Sequence, residues 1–368
     1  MKLTADVQAV LDGGRTWGVQ QADAVSFLRV LPADSVNMMI GSPPYCDARD
    51  YLEDGKNLNV ARDCLAWVEW MLEVTEAAAR ACVGPIFWVA AGVTRDRNYW
   101  PACEGLLWEW FKRGGSHQLY RPCAWTRSGI PGSGGDDYLR ADWEYVLCFK
   151  RPGKLPWSDN TAMGHPPKYA PGGEMSHRIV DGTRKNSFGI RTDVPVGSRT
   201  HGKKRTNETY RAVKTRLGRN MANGIPGSTK VSVVGKKHTK RTVTEDGDVM
   251  EEQFYEPPVI ANPGNVINIP VGGLMLGSDL AHVNEAPFPE KLAAFFVRSF
   301  CAPGALCCDP FSGSGTTLKV ALAHGRRFVG CDLRESQVNL SKRRAQEAVP
   351  WVKDDSIPGE PLPLFPEM

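Results

Sequence analysis

No apolar run in these 368 residues approaches the roughly 20 residues that a membrane span needs. The opening MKLTADVQAV has no secretory leader pattern either. Ten cysteines are scattered with no Cys-x-x-Cys pair and no His/Cys cluster at zinc spacing, which argues against a zinc site and a disulfide scaffold. Free thiols in a reducing cytoplasm are the expectation, and no metal is expected. Internal repeats are lacking as well. With 42% hydrophobic and 23% charged residues the composition is globular, and the chain is long enough to bury a substantial core.

Acidic residues are scarce in one stretch. Residues 151–244 hold 20 Lys and Arg against 5 Asp and Glu, a net +15, which leaves the rest of a +4 chain at −11. A basic middle between acidic flanks suits an insert that binds a polyanion. A solvated loop would have the same charge, so the charge alone does not separate the two.

Periodicity places the ordered parts on either side of that stretch. Residues 17–40 read as a helix (stripe Ala24 to Leu31), a turn at Pro32–Asp34 and a short buried strand at Val36–Ile40. A long helix follows at about 60–82, then a strand at Pro85–Ala90, a helix at 102–113 and a strand at Tyr145–Phe149. From Lys150 to about 245, Gly, Pro, Ser, Thr, Lys and Arg dominate without periodicity, and no regular structure is expected. Order returns at Val266–Ile269, followed by a helix at 290–300, a strand at Ala305–Cys308, a helix at 316–324, a strand at Arg327–Cys331 and a helix at about 335–347. A Pro-rich tail begins at Pro350. Strands alternating with helices on both sides of an interruption predict one α/β sheet built from two chain segments. The tryptophans at 67, 70, 88, 108 and 110 sit at core-like spacings.

Asp309-Pro310-Phe311-Ser312-Gly313-Ser314-Gly315-Thr316-Thr317 follows an apolar strand and opens a helix. Glycines let the backbone approach a ligand, and the helix N-terminus offers unpaired N–H groups to a carboxylate. Asp332, at the end of the next strand, stands where an acid takes both hydroxyls of a ribose. No Lys directly follows the glycines, against a P-loop, and Leu318 occupies the third glycine position of a nicotinamide fingerprint.

Gly41-Ser42-Pro43-Pro44-Tyr45 ends a strand near the N-terminus, where open α/β sheets place ligands. An exocyclic amine on a nucleobase is a poor nucleophile because its lone pair is delocalised into the ring. Ser42 Oγ and the Pro43 carbonyl can accept its protons and draw the nitrogen towards sp³. The Pro43-Pro44 pair, with fixed φ and no N–H, presents rigid carbonyls. Tyr45 offers a flat face to an extruded base, worth about 1–3 kcal/mol.

With both motifs in this order, the chain resembles the amino-methylating DNA methyltransferases of the β arrangement, SPPY type. Their catalytic half comes first, then a target-recognition region, then the cofactor half. The resemblance implies a Rossmann-like S-adenosylmethionine-dependent methyltransferase sheet with helices on both faces, interrupted by the basic insert. It divides the chain into a catalytic half at 1–150, a recognition region at 151–260, a cofactor half at 261–349 and a tail at 350–368. S-adenosyl-L-methionine is the implied cofactor. Asp23 takes the place of the acid that reaches its adenine, and Asp332 that of the ribose acid. Asn284 and Phe288 lie in the segment Asn284–Leu292, which flanks the methionine moiety, although Asn284-Glu285 stands where the family often has His-Pro. Asp309, Pro310, Phe311, Ser312, Gly313, Gly315, Thr316 and Thr317 form the loop. Trp125-Thr126-Arg127 and Asp142-Trp143-Glu144-Tyr145 resemble later catalytic-half motifs.

Ser42 favours N4 of cytosine over N6 of adenine, because adenine enzymes of this branch usually carry Asp there. The implied partner is double-stranded DNA, with Lys203, Lys204, Arg205, Lys236 and Lys237 as the densest clusters for its phosphates. A cognate restriction endonuclease and a homodimer are compatible with the resemblance, a membrane is not, and the implied place is the cytoplasm of a bacterial, archaeal or phage-infected cell. Arg121-Pro122-Cys123 looks like the nucleophile of C5-methylating enzymes, but the motif order is reversed and Cys123 reads as a buried thiol. RNA- and protein-glutamine-methylating enzymes usually begin their tetrapeptide with Asn, after the cofactor loop. A non-catalytic DNA-binding module accounts for the +15 segment but not for the loop.

Overall fold

The structure is a computed structural model, and it describes residues 1–46, 52–53, 56–57, 63–127, 135–159, 161–165, 236–243, 249–256, 260–271, 280 and 287–349. Two compact units emerge, one from Met1–Ser158 with Gly264–Lys353 and one from Asp159–Pro263.

The first unit holds a nine-stranded sheet. Its strands are β1 (Trp17–Gln21), β2 (Met38–Gly41), β5 (Ile86–Ala90), β8 (Gln118–Leu119), β9 (Cys123–Thr126), β10 (Trp143–Lys150), β13 (Val266–Asn268), β14 (Leu306–Asp309) and β15 (Arg327–Asp332). The order is β1-β15-β14-β2-β5-β10-β9-β13, with β8 on β10. From β1 to β5 every pairing is parallel, and β10 runs antiparallel to both β5 and β9. Two short ribbons accompany the sheet, β3 (Leu52–Glu53) with β4 (Lys56–Asn57) and β6 (Val93–Arg95) with β7 (Asn98–Trp100).

Strands β2, β5 and β14 are buried along their whole length, as parallel strands are when both faces are covered. Alternate residues serve opposite cores. Met39, Ile86, Trp88 and Cys308 face a cluster with α1 (Ala5–Leu11), α2 (Ala24–Val30), α3 (Cys64–Ala81) and α4 (Ala102–Arg113). Met38, Ile40, Phe87 and Cys307 face a second cluster with α5 (Glu290–Phe300), α6 (Thr316–Ala323) and α7 (Glu335–Gln346). Each large side chain buried this way stabilises the fold by about 1.5–3 kcal/mol. Asp63 and Asp23 cap α3 and α2 by accepting from the Ala66 and Ser26 amides, and Gly114 ends α4 at φ 64°.

In the second unit β11 (Lys236–Val243) pairs antiparallel with β12 (Val249–Glu256), and a single bridge joins His165 to Ala261. The sequence predicts no regular structure up to about 245, so β11 is a departure. Its charged residues come in adjacent pairs, Lys236-Lys237 and Lys240-Arg241, so no period-two alternation marks it as a strand. A second departure is β1, which periodicity merges into the following helix. A third is Trp108, 61% exposed on α4 rather than packed in the core, whereas Trp67, Trp88 and Trp110 are buried. Among the described residues no helix is long and apolar enough to cross a membrane, and no cluster of His, Cys, Asp or Glu suits a metal.

Candidate active site

The parallel register gathers the two sequence motifs at one edge of the sheet. Strand β14 lies beside β2, with Cys308 opposite Met39, so Asp309 and Gly41 leave the sheet as neighbours. Their contact is close enough to require glycine. A Cβ on Gly41 would stand 2.6 Å from Asp309 Oδ1 and 3.3 Å from Phe311 Cδ2. Gly41 therefore belongs to the site, although the sequence singles out only the four residues after it.

Asp309 is 1% exposed and organises the loop. Its Oδ1 accepts from the Phe311 amide at 2.9 Å and its Oδ2 from the Thr317 hydroxyl at 2.8 Å. Burial outweighs these bonds and pushes its carboxyl up to about 7. Phe311 packs edge-on against Trp70 and Trp88, at 5.7 and 5.9 Å between ring centres. The Pro310 carbonyl accepts from Cys331 Sγ at 3.2 Å, and the Ser312 amide donates to the Cys331 carbonyl at 2.9 Å, which ties the loop to β15. Gly313 and Gly315 have φ of 49° and 84°, a left-handed turn that favours glycine. Helix α6 then starts at Thr316 with no side-chain cap, leaving its first amides for a ligand.

The loop is braced from behind by α7. Ser341 Oγ donates to the Gly313 carbonyl at 2.8 Å. Arg344, fully buried, donates to Ser314 Oγ and Thr316 Oγ1 at 3.0 Å each and pairs with buried Glu290 at 2.6 Å. Lys319 lies 3.2 Å from the same carboxylate. Sequence reading missed this brace, because a helix rich in Arg, Lys and Glu reads as a solvated face.

Asp332 ends β15 at the same edge. Its Oδ2 accepts from the Gly313 amide and its Oδ1 from the Arg334 amide, both at 2.9 Å. Arg334 Nε also lies 3.8 Å from Oδ1, so backbone amides and a guanidinium together orient the carboxylate. Gln21 pairs with Asp332 across β1 and β15, which brings Asp23 to the adjoining edge, where one of its oxygens caps α2. Phe288 is buried in the second core beside α5. Asn284 lies outside the described residues, as do Lys203, Lys204 and Arg205. Lys236 and Lys237 open β11, opposite Glu256 and Tyr255.

Just past β2, Ser42 Oγ donates to the Val89 carbonyl at 3.1 Å, which turns the hydroxyl proton towards β5. The Pro44 carbonyl takes the Trp67 indole N–H at 2.7 Å, so that proline anchors the tetrapeptide to α3. Tyr45 donates its hydroxyl to Glu144 Oε2 at 2.6 Å, and Arg127 holds the other oxygen of Glu144 at 2.6 Å. Burial first, and the Glu144 carboxylate second, push the Tyr45 phenol well above 10. Cys123 sits in β9, two strands away from β5, half-buried. Its thiol is lowered by a hydrogen bond from Cys148, against the effect of burial.

A sequence profile described as DNA methylase, for the N6/N4 family, matches residues 36–343. The chain is 21% identical over 385 aligned residues to the type II methyltransferase M.SfiI of Streptomyces fimbriatus, covering 88% of this chain and 89% of that protein. It is 30% identical over 120 residues to the orphan methyltransferase M.BamHII of Bacillus amyloliquefaciens, where the match spans 31% of this chain and only 44% of the relative. Its fold is similar to that of the PvuII DNA methyltransferase (cytosine-N4-specific), with a TM-score of 0.53 and 15% identity over 93% of this chain and 88% of that one. With the family profile running from just before β2 into α7, the chain belongs to the N6/N4 DNA methylases, whose methyl donor is S-adenosyl-L-methionine.

Proposed function

We propose that this protein methylates the exocyclic N4 of a cytosine extruded from duplex DNA. The observation that carries the reading is the adjacency of β2 and β14, which sets Ser42-Pro43-Pro44-Tyr45 beside the Asp309–Thr317 loop on one sheet edge. The loop suits S-adenosylmethionine. Its left-handed glycines admit a ligand close to the backbone, the uncapped start of α6 suits a carboxylate, and the oriented Asp332 suits ribose hydroxyls. Asp23 is the residue proposed for the adenine, with Phe288 and Asn284 flanking the methionine part. Bound there, the cofactor supplies an electrophilic methyl on sulfur.

The rest falls to the chain's own residues. Ser42 Oγ and the Pro43 carbonyl accept the amino protons and localise the nitrogen lone pair for in-line attack. Pro44 fixes the segment to α3, and Tyr45 offers its ring to the base. A neutral hydroxyl at position 42 is the observation that favours cytosine; the adenine N6 reading is the alternative within the family. Residues 151–260 are proposed as the target-recognition region. Lys203, Lys204, Arg205, Lys236 and Lys237 would contact phosphates, which position the protein without reading sequence. A cytoplasmic setting and a cognate endonuclease accord with the type II name of M.SfiI. Expression in a host free of DNA methylation, followed by mass spectrometry of digested nucleosides, tests the reading. N4-methylcytosine is expected; N6-methyladenine alone would transfer the assignment to adenine, and neither base would refute it.

A further inference from the structure

Tyr45 is held by more than its own strand. Its hydroxyl donates to Glu144 across 99 residues of sequence, at 2.6 Å. Glu144 is 5% exposed on β10, and a carboxylate so placed is costly without a cation. Arg127, the residue after β9, supplies it at 2.6 Å and also donates to the Ala141 carbonyl at 3.2 Å. The antiparallel register of β9 and β10 sets Trp125 opposite Glu144 and Thr126 opposite Trp143, which brings Arg127 to the same end of the pair. The three groups form a chain, guanidinium to carboxylate to phenol, that ends on the ring meant to receive the base.

A phenol ring can spin about its Cβ–Cγ bond and swing about χ1. An acceptor fixed at the hydroxyl removes the swing, because the oxygen lies on the axis of the ring. With a charged acceptor this bond is among the stronger kinds, so the ring's axis is held in one place before any base arrives.

We propose that Glu144, charge-balanced by Arg127, is a positioning residue that fixes Tyr45 as a preset stacking platform for the extruded base. The inference rests on the amino-methylation reading and adds to it a part played from outside the tetrapeptide.

The test is single-turnover transfer of a tritiated methyl from S-adenosylmethionine to unmethylated DNA, with Tyr45→Phe, Glu144→Gln, Glu144→Ala and the double variant Tyr45→Phe/Glu144→Gln. Tyr45→Phe keeps the ring and removes only the anchoring oxygen. It is expected to slow transfer about ten- to hundred-fold, the range for losing a hydrogen bond to a charged group, with the dissociation constant of S-adenosylmethionine unchanged. Glu144→Gln should recover part of what Glu144→Ala loses, because the amide oxygen still accepts. The double variant should be no slower than the slower single one. Wild-type rates in Tyr45→Phe, or multiplying losses in the double variant, overturn the proposal. If the Glu144 variants do not fold, Tyr45→Phe decides alone. A wild-type protein that transfers no label refutes the methylation reading instead. The same cycle read by thermal unfolding then decides the pairing, where non-additive shifts support it and additive ones overturn it.

Discussion

Replacing Arg344 with methionine removes the cation from the most deeply buried charged cluster described. Arg344 is 0% exposed, bonds Glu290 at 2.6 Å, and reaches Ser314 and Thr316 at 3.0 Å. Breaking a buried pair on one side typically costs about 3–5 kcal/mol, because a charge is left without its partner. Lys319, 3.2 Å from the same carboxylate, keeps part of the compensation and places the expected loss at the lower end, about 3 kcal/mol. At about 2–4 °C per kcal/mol for a domain of this size, the melting temperature should fall by about 6–12 °C. The double variant Arg344→Met/Glu290→Gln should be more stable than Arg344→Met alone, since no carboxylate is then stranded and Lys319 can turn to the more exposed Glu347. Calorimetric unfolding of the three variants checks this. A loss below about 1 kcal/mol in the single variant, or losses that add in the double, would refute the account of a mutually dependent pair. Cofactor affinity should fall as well, because Ser314 and Thr316 lose their brace.

Asp309, at about 7 when folded and near 3.8 when unfolded, keeps a proton in the native state that the unfolded chain releases. Without cofactor, the contribution of Asp309 to stability should therefore be fully present below about pH 4 and decline as pH rises to about 7, and Asp309→Asn should flatten that decline in pH-dependent melts; an unchanged slope would count against a buried neutral carboxyl. Asp332→Ala should weaken S-adenosylmethionine binding by about 1.5–3 kcal/mol in titration calorimetry, and unchanged affinity in a folded variant would remove it from the ribose site. Cys123→Ser should retain methyl transfer, and loss of activity with covalent trapping by a 5-fluorocytosine substrate would revive the C5 reading. Changing Lys203, Lys204 and Arg205 to Glu should weaken DNA binding to all sequences alike and flatten its salt dependence, whose slope is about −0.9 per phosphate contact, without changing the methylated site; an unaltered salt slope would place the phosphate contacts elsewhere.

What the sequence made legible had a short-range signature. The helix at 290–300 was found to the residue because Leu292, Phe296 and Val297 repeat at helical spacing, and the glycine loop because its chemistry is local. Strand β1 was missed because Gln20 is polar yet buried, its side chain accepting from the Thr4 amide, so no alternation betrays it. Trp108 was misplaced because helical spacing reveals a stripe but not which stripe faces inward. Nothing local announces that Glu144 serves Tyr45 or that Arg344 serves Glu290. Those partners lie 99 and 54 residues apart, and only the sheet order brings them together.

That sheet order also constrains how the chain is made. Strands β1 and β2 are synthesised long before β14 and β15, yet the two places between them belong to β15 and β14. At roughly 5–20 residues per second, β2 waits on the order of tens of seconds before β14 leaves the ribosome. Throughout that wait Met38–Gly41 has one unpaired edge and an apolar flank in a half-built sheet, the kind of surface that recruits chaperones or other nascent chains. The loop to be closed is long, but its entropic cost grows only with the logarithm of its length. The basic segment between the two halves can therefore vary in length with little penalty to the sheet, while the speed of folding stays bound to the arrival of the last two strands.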